Sequence, residues 1–166
     1  DESVKNTKVM IVIPTIMPSA KEILGFQKHL ASIYSSYERN ENIRICVLTD
    51  FKSSDVEQTD EDPKSMDAFK TLIDEMCKTY ENSFMGLVRK REYSKTQREF
   101  TGRERKRGAI SDLASFMYDD KSVFVGVYGN TEALDETEYF MVLDSDTSLT
   151  FDSLTEMIAC AVHPVN

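Results

Sequence analysis

Short apolar runs recur along the chain, separated by longer stretches in which apolar positions return every three or four residues. Four of the short runs are nearly continuous rather than alternating: Val9 to Ile13, Ile43 to Leu48, Phe84 to Val88 and Tyr139 to Leu143. A strand that is apolar on both faces belongs to a parallel sheet covered on both sides, so these predict four buried parallel strands. The intervening stretches predict helices. After Ser19, Ile23, Leu30, Tyr34 and Tyr37 share one stripe with the polar Gln27. Asp62-Pro63 reads as a capping side chain followed by proline at the first helical position, and Met66, Phe69, Ile73, Met76 and Tyr80 form the stripe behind it. A third helix is expected from near Arg105, carrying Ile110, Leu113 and Met117, and a fourth after Asp152, carrying Leu154, Ile158 and Ala161. Ser54 to Asp62 is polar and acidic, a surface loop. Lys121 to Asp135 holds an apolar run from Val123 to Val127 with Gly126 and Gly129, which predicts an extra strand or hairpin.

Strand and helix alternating in this way predict an α/β fold, a Rossmann-like parallel sheet with helices on both faces. Ligands of such sheets bind beyond the carboxyl ends of the strands. That directs attention to Pro14-Thr15, to Thr49-Asp50, to the basic segment after Val88, and to Asp144-Ser145-Asp146.

Composition narrows the classes. The 166 residues are 40% apolar and 30% charged, a globular composition with enough chain for one domain, residues 1–166. No apolar run has the length of a membrane span and no signal-peptide pattern opens the chain, so this stretch is expected to be soluble, whatever membrane segments a longer parent carries. Cys46, Cys77 and Cys160 lack metal-like spacing and each falls in an apolar stretch, which predicts buried reduced thiols. His29 and His163 lie far apart, leaving little for zinc or a Ser-His-Asp site. The net charge of −9 argues against nucleic acid as a partner. Its distribution says more. Arg89 to Arg107 holds nine Lys/Arg against three Glu, a local +6 that leaves −15 for the rest. A basic island in an acidic chain fits a specific anionic ligand, or a solvated loop.

Asp144 and Asp146 follow directly on the fourth apolar run. In extended chain alternate residues point the same way, so both carboxylates are expected to face one site. Two such carboxylates repel unless a cation lies between them, and Mg²⁺ or Mn²⁺ suits one or two carboxylates completed by substrate phosphates. The same residues also fit a strand-ending turn. Two other uses of the motif fail on spacing. A calcium loop beginning at Asp144 requires Gly and Glu where Leu149 and Thr155 stand, and a dehalogenase-type phosphatase requires Thr or Val where Ser148 stands. Lys106 and Arg107, before Gly108 at the expected helix start, supply cations, backbone amides and the positive end of a helix dipole for a diphosphate. Gly108 permits close backbone approach there. Asp50 suits hydrogen bonds from a base or ribose, or a turn or cap.

At Gly102-Arg103-Glu104-Arg105-Lys106-Arg107-Gly108 and Leu143-Asp144-Ser145-Asp146-Thr147, the chain resembles the glycosyltransferase domain of bacterial cyclic β-1,2-glucan synthases. The resemblance takes in Val12-Ile13-Pro14-Thr15, Leu48-Thr49-Asp50-Phe51 and the closing Ala161-Val162-His163-Pro164-Val165-Asn166, nearly the whole chain. It implies the nucleotide-binding half of a GT-A glycosyltransferase, using UDP-glucose and inverting transfer to build β-1,2-glucan. It implies a large membrane-embedded parent whose transferase domain faces the cytoplasm. Pro14, Thr15 and Asp50 would then surround the uridine, Lys106 and Arg107 the diphosphate, and Asp144 and Asp146 the ribose and metal. The family's catalytic base and glucan acceptor site lie beyond the D-x-D strand, so no residue here is expected to act as base, and 1–166 alone is expected to be inactive. Two alternatives remain: another GT-A polysaccharide synthase, and a non-catalytic nucleotide-sugar-binding module.

Overall fold

The computed structural model describes residues 2–37, 40–150 and 152–163. Helix α1 (Glu2–Asn6) leads into strand β1 (Val9–Ile16), helix α2 (Ile23–Ser35), strand β2 (Ile43–Asp50), helix α3 (Asp62–Thr79) and strand β3 (Phe84–Arg89). A small hairpin of β4 (Glu92–Ser94) and β5 (Glu99–Thr101) precedes helix α4 (Arg105–Met117). A 3-10 turn at Lys121–Val123, strand β6 (Phe124–Gly129), helix α5 (Ala133–Glu136), strand β7 (Tyr139–Val142) and helix α6 (Ser153–Ala161) follow. The last three residues of the closing motif, Pro164 to Asn166, lie outside the described residues.

The fold is α/β and Rossmann-like. Five strands form one sheet in the order β6-β3-β2-β1-β7. The four expected strands pair in parallel, and β6, the extra strand, adds antiparallel to β3 at one edge. Successive residues of a strand face opposite ways, and both faces are covered. Ile11, Ile13, Ile45, Val47 and Phe84 meet Leu30 and Ile33 of α2, Phe69, Ile73 and Met76 of α3, and Leu154 and Ile158 of α6. Met10, Val12, Cys46, Leu48 and Leu87 meet Ala109 and Leu113 of α4 and Leu134 of α5. Each fully buried Leu, Ile or Phe here contributes roughly 1.5–3 kcal/mol of transfer free energy, which is why the apolar stripes decide how the helices lie.

Four expectations change. The fourth strand is parallel but not buried: Tyr139, Phe140 and Val142 are each about two-fifths exposed, because β7 is an edge strand that pairs with β1 alone among the described strands. An apolar run reports what a strand can bury, not whether a neighbour arrives. Met117, at the last turn of α4, is likewise exposed. The thiols grade from buried Cys46, its pKa pushed up to about 12 by burial, through half-buried Cys77 to exposed Cys160, so Cys160 is not the buried thiol expected. Asp62 is itself the first residue of α3, with Pro63 second, and its carboxylate accepts from Thr59 N (2.9 Å) and Thr59 Oγ1 (2.7 Å), turning back on the preceding loop.

Candidate functional site

At the carboxyl end of the sheet, Asp50 and Arg89 are paired neighbours on β2 and β3. Arg89 Nε donates to Asp50 Oδ1 at 2.6 Å and Nη2 to Oδ2 at 2.9 Å, a two-pronged ion pair with the arginine side chain 2% exposed. Its other N–H groups reach Asp112 Oδ2 on α4 (2.9 Å) and the backbone carbonyls of Arg103 (3.1 Å) and Arg105 (2.9 Å). A guanidinium has five N–H donors, and here all five are used, the condition on which a buried charge is tolerated. Burial opposes the charge on Arg89, but the bonds to Asp50 and Asp112 outweigh it and hold its pKa above the ordinary value.

The basic run wraps over this pair. A Cβ on Gly102 would lie 2.5 Å from the Asp50 carboxylate, and one on Gly108 would lie 1.8 Å from the Arg103 carbonyl oxygen. The close approach that Gly108 permits is therefore by the chain's own backbone. Between the glycines, Glu104 (φ 51°) and Arg105 (φ 47°) sit in the left-handed region that non-glycine residues avoid, a cost of order 1–3 kcal/mol each. The Arg89 bonds to the Arg103 and Arg105 carbonyls hold that conformation in place.

From this anchored start of α4, Lys106 reaches across to the end of β7, where its Nζ bonds Asp144 Oδ1. Both side chains are open to solvent, 52% and 61% exposed. Leu143 is buried and its amide donates to Val12 O at 2.9 Å, so β7's hydrogen bonding to β1 delivers Asp144 to the sheet's carboxyl end. Past that point the chain turns: Thr147 N donates to Asp144 O at 2.9 Å. The alternation of extended chain does not carry through Asp146, so the turn reading of this segment describes its backbone. Both aspartates are exposed.

The other predicted residues sort by depth. Pro14 and Thr15 are half-buried near the end of β1, with Thr15 Oγ1 donating to the Ile16 carbonyl (3.2 Å). Arg107 is exposed. Asp50 is 8% exposed and both its oxygens face Arg89. Arg89 itself, and Asp112, were not singled out in the sequence; an arginine closing an otherwise apolar strand was the available signal.

A second ion pair lies on the α3 side. Arg91 Nη1 and Nη2 bond both oxygens of Asp62 (2.5 and 3.0 Å), Nε donates to Lys52 O (2.6 Å), and the guanidinium stacks on the Phe51 ring at 4.8 Å. Burial would raise the Asp62 carboxyl, but the bonds from Arg91 and Thr59 outweigh it and hold it below its ordinary value. The segment expected as a surface loop thus folds back over Arg91, and Ser54 pairs with Phe100. Behind it is a cleft of about 420 Å³ bordered by Met17, Phe51, Lys52, Ser53, Asp62 and Arg91. None of the predicted site residues lines it. Two of the nine cations of the basic island, Arg89 and Arg91, are therefore internal structure.

Whether Mg²⁺ or Mn²⁺ fits at Asp144 and Asp146 turns on the donor set. Among the described residues there is no cluster of three or more His, Cys, Asp or Glu able to hold a metal. Two exposed carboxylates make no protein cage, and a hard cation held by them would have to take the rest of its shell from water and phosphate oxygens.

No known protein-family profile matches the chain. It is similar to the cyclic beta-(1,2)-glucan synthase NdvB of Rhizobium meliloti (strain 1021), with 25% identity over 166 aligned residues that cover 98% of this chain. The two are distantly related. The chain spans about 6% of that relative's length. Among the described residues no helix is long and apolar enough to cross a membrane.

Proposed function

We propose that this chain is the donor-binding region of a glycosyltransferase acting in β-1,2-glucan synthesis, and that its ligand is UDP-glucose with Mg²⁺ or Mn²⁺. The observation that carries the reading is the meeting of Lys106 and Asp144 at the carboxyl end of a parallel sheet. Cation and carboxylate lie 38 residues apart in the chain and meet at the sheet's carboxyl end, where α/β sheets of this kind commonly take ligands. The distant relation to a cyclic beta-(1,2)-glucan synthase supports glucan synthesis as the setting.

In this reading Asp144 and Asp146 would hold the divalent cation, and Lys106 and Arg107 would lie against the diphosphate. The metal supplies Lewis-acid stabilisation of the departing nucleotide when it is bound. Lys106 and Arg107 add charge to the same oxygens, placed before reaction and so needing no reorganisation during it. Pro14 and Thr15 border the nucleoside. Asp50 contributes mainly through Arg89, whose bonds fix the loop that presents Lys106. Inverting transfer also needs a base to take the acceptor hydroxyl's proton, and we assign that role to no residue of this chain.

Calorimetry of UDP and UDP-glucose binding, with and without Mn²⁺, tests the reading. Binding is expected to require Mn²⁺ and to fall at least tenfold in Asp146→Ala. Metal-independent binding that ignores the substitution would sink the assignment.

A further inference from the structure

Arg89 and Arg91 are both buried guanidiniums, but their donors are not equally engaged. All five N–H groups of Arg89 have acceptors. Arg91 makes four bonds, from Nε to Lys52 O, from Nη1 to Glu57 O and Asp62 Oδ2, and from Nη2 to Asp62 Oδ1. One Nη2 N–H is left with no acceptor among the described residues, on a side chain only 4% exposed. A buried donor left unmet is costly. Arg91 also forms part of the wall of the cleft of about 420 Å³ between the segment leading into α2 and the first turns of α3.

We propose that this cleft is a second ligand site and that it takes a neutral sugar. It shares no lining residue with the donor site proposed above and does not depend on it.

Charge pairing selects a neutral ligand. Each cation at the cleft has its own carboxylate: Arg91 has Asp62, Lys64 has Glu61 at 3.4 Å, and Lys52 has Glu22 at 3.5 Å. An anion would find no unpaired cation there, and a metal ion no unpaired carboxylate. The rest of the lining suits hydroxyls beside an apolar face. Met17, Ala20, Phe51 and Ala68 supply apolar surface. Ser19 Oγ and Ser53 Oγ each donate once, to Glu22 Oε1 and Thr101 Oγ1, and can still accept; Ser54 Oγ accepts from Val56 N and can still donate. A sugar ring has the complementary make-up, apolar C–H faces edged by hydroxyls that donate and accept, and one of its oxygens would take the spare Arg91 N–H. Small-molecule sites are commonly clefts of about 300–1,000 Å³ with apolar walls and a few placed polar groups.

The test is titration of the isotope-labelled 166-residue chain with glucose and with its β-1,2-linked disaccharide, followed by amide chemical shifts, with inorganic phosphate as the anionic comparison. Binding in the millimolar range is expected to move the amides of Ser19, Ser53 and Ser65 and the Arg91 Nε–H, and to leave those of Lys106 and Asp144 in place. Ala68→Phe, which fills the cleft from α3, is expected to weaken binding about tenfold while keeping the circular dichroism of the parent chain. The shift map needs no variant, so it decides the matter even where Ala68→Phe does not fold. Absence of binding by either sugar overturns the proposal. So do shifts confined to Lys106 and Asp144, unchanged binding in a folded Ala68→Phe, or larger cleft shifts with phosphate than with sugar. The donor-site reading stands or falls separately, on Mn²⁺-dependent UDP binding.

Discussion

The same basic segment makes two cation–carboxylate contacts of opposite character. Arg89 and Asp50 are buried between β2, β3 and the glycine-flanked loop, with every guanidinium donor matched. Lys106 and Asp144 meet in solvent at the mouth of the sheet. The first pair holds a shape and the second holds a place. In the interior a charge is kept only where its partners are fixed, so the Arg89 pair is rigid and costly to break. At the surface water competes for both ions, so the Lys106 pair is cheap and available for exchange. Charge counting along the chain sees nine equal cations; burial divides them into those sealed inside and those left in water.

Breaking the buried pair should have the largest effect. Arg89→Met leaves Asp50 and Asp112 without their cation and releases the Arg103 and Arg105 carbonyls, and is expected to cost about 3–5 kcal/mol in urea denaturation. A loss under about 1 kcal/mol would show that the cluster is not the anchor described. Gly108→Ala attacks the same anchor from the backbone. The methyl meets the Arg103 carbonyl, so a loss of about 1–3 kcal/mol is expected.

The Arg91–Asp62 pair offers a titration. The folded carboxyl of Asp62 lies below its ordinary value of 3.8, so the folded state binds that proton less readily than the unfolded chain. Its stabilisation is present in full above the unfolded value and is lost as the pH falls through the folded one. Stability measured by urea from neutral pH down to about pH 3 should fall less steeply in Asp62→Asn than in the parent chain. Equal slopes would remove Asp62 from the acid response. The smallest stability effect belongs to Lys106→Gln, under about 1 kcal/mol, which is what makes it a clean probe of binding.

The fold was legible because its signals are local. Leu30, Phe69, Ile73, Met76, Leu113, Leu154 and Ile158 all repeat at helical spacing and all are buried where that spacing put them. The apolar runs at Val9, Ile43 and Phe84 became parallel strands. What misled was exposure: the run at Tyr139 has the composition of a central strand yet lies at an edge, and Cys160 faces solvent from an apolar stretch. The candidate site was legible in part. Lys106 and Asp144 were drawn together by charge and strand-end position. Arg89 was not, because nothing within a few residues of it indicates that Asp50, Asp112 and two carbonyls will converge there.

Residue order alone thus determined the alternation of strands and helices and the carboxyl edge on which the polar strand ends collect. Periodicity and turn chemistry act over a few residues and are written in the chain. The tertiary structure alone decided which arginines are structural, why Gly102 and Gly108 flank the basic run, and that Lys106 rests on Asp144. Those depend on contacts across β2, β3, α4 and β7, and on how much water each contact keeps. Burial sets what a charge costs, and burial belongs to the packed molecule.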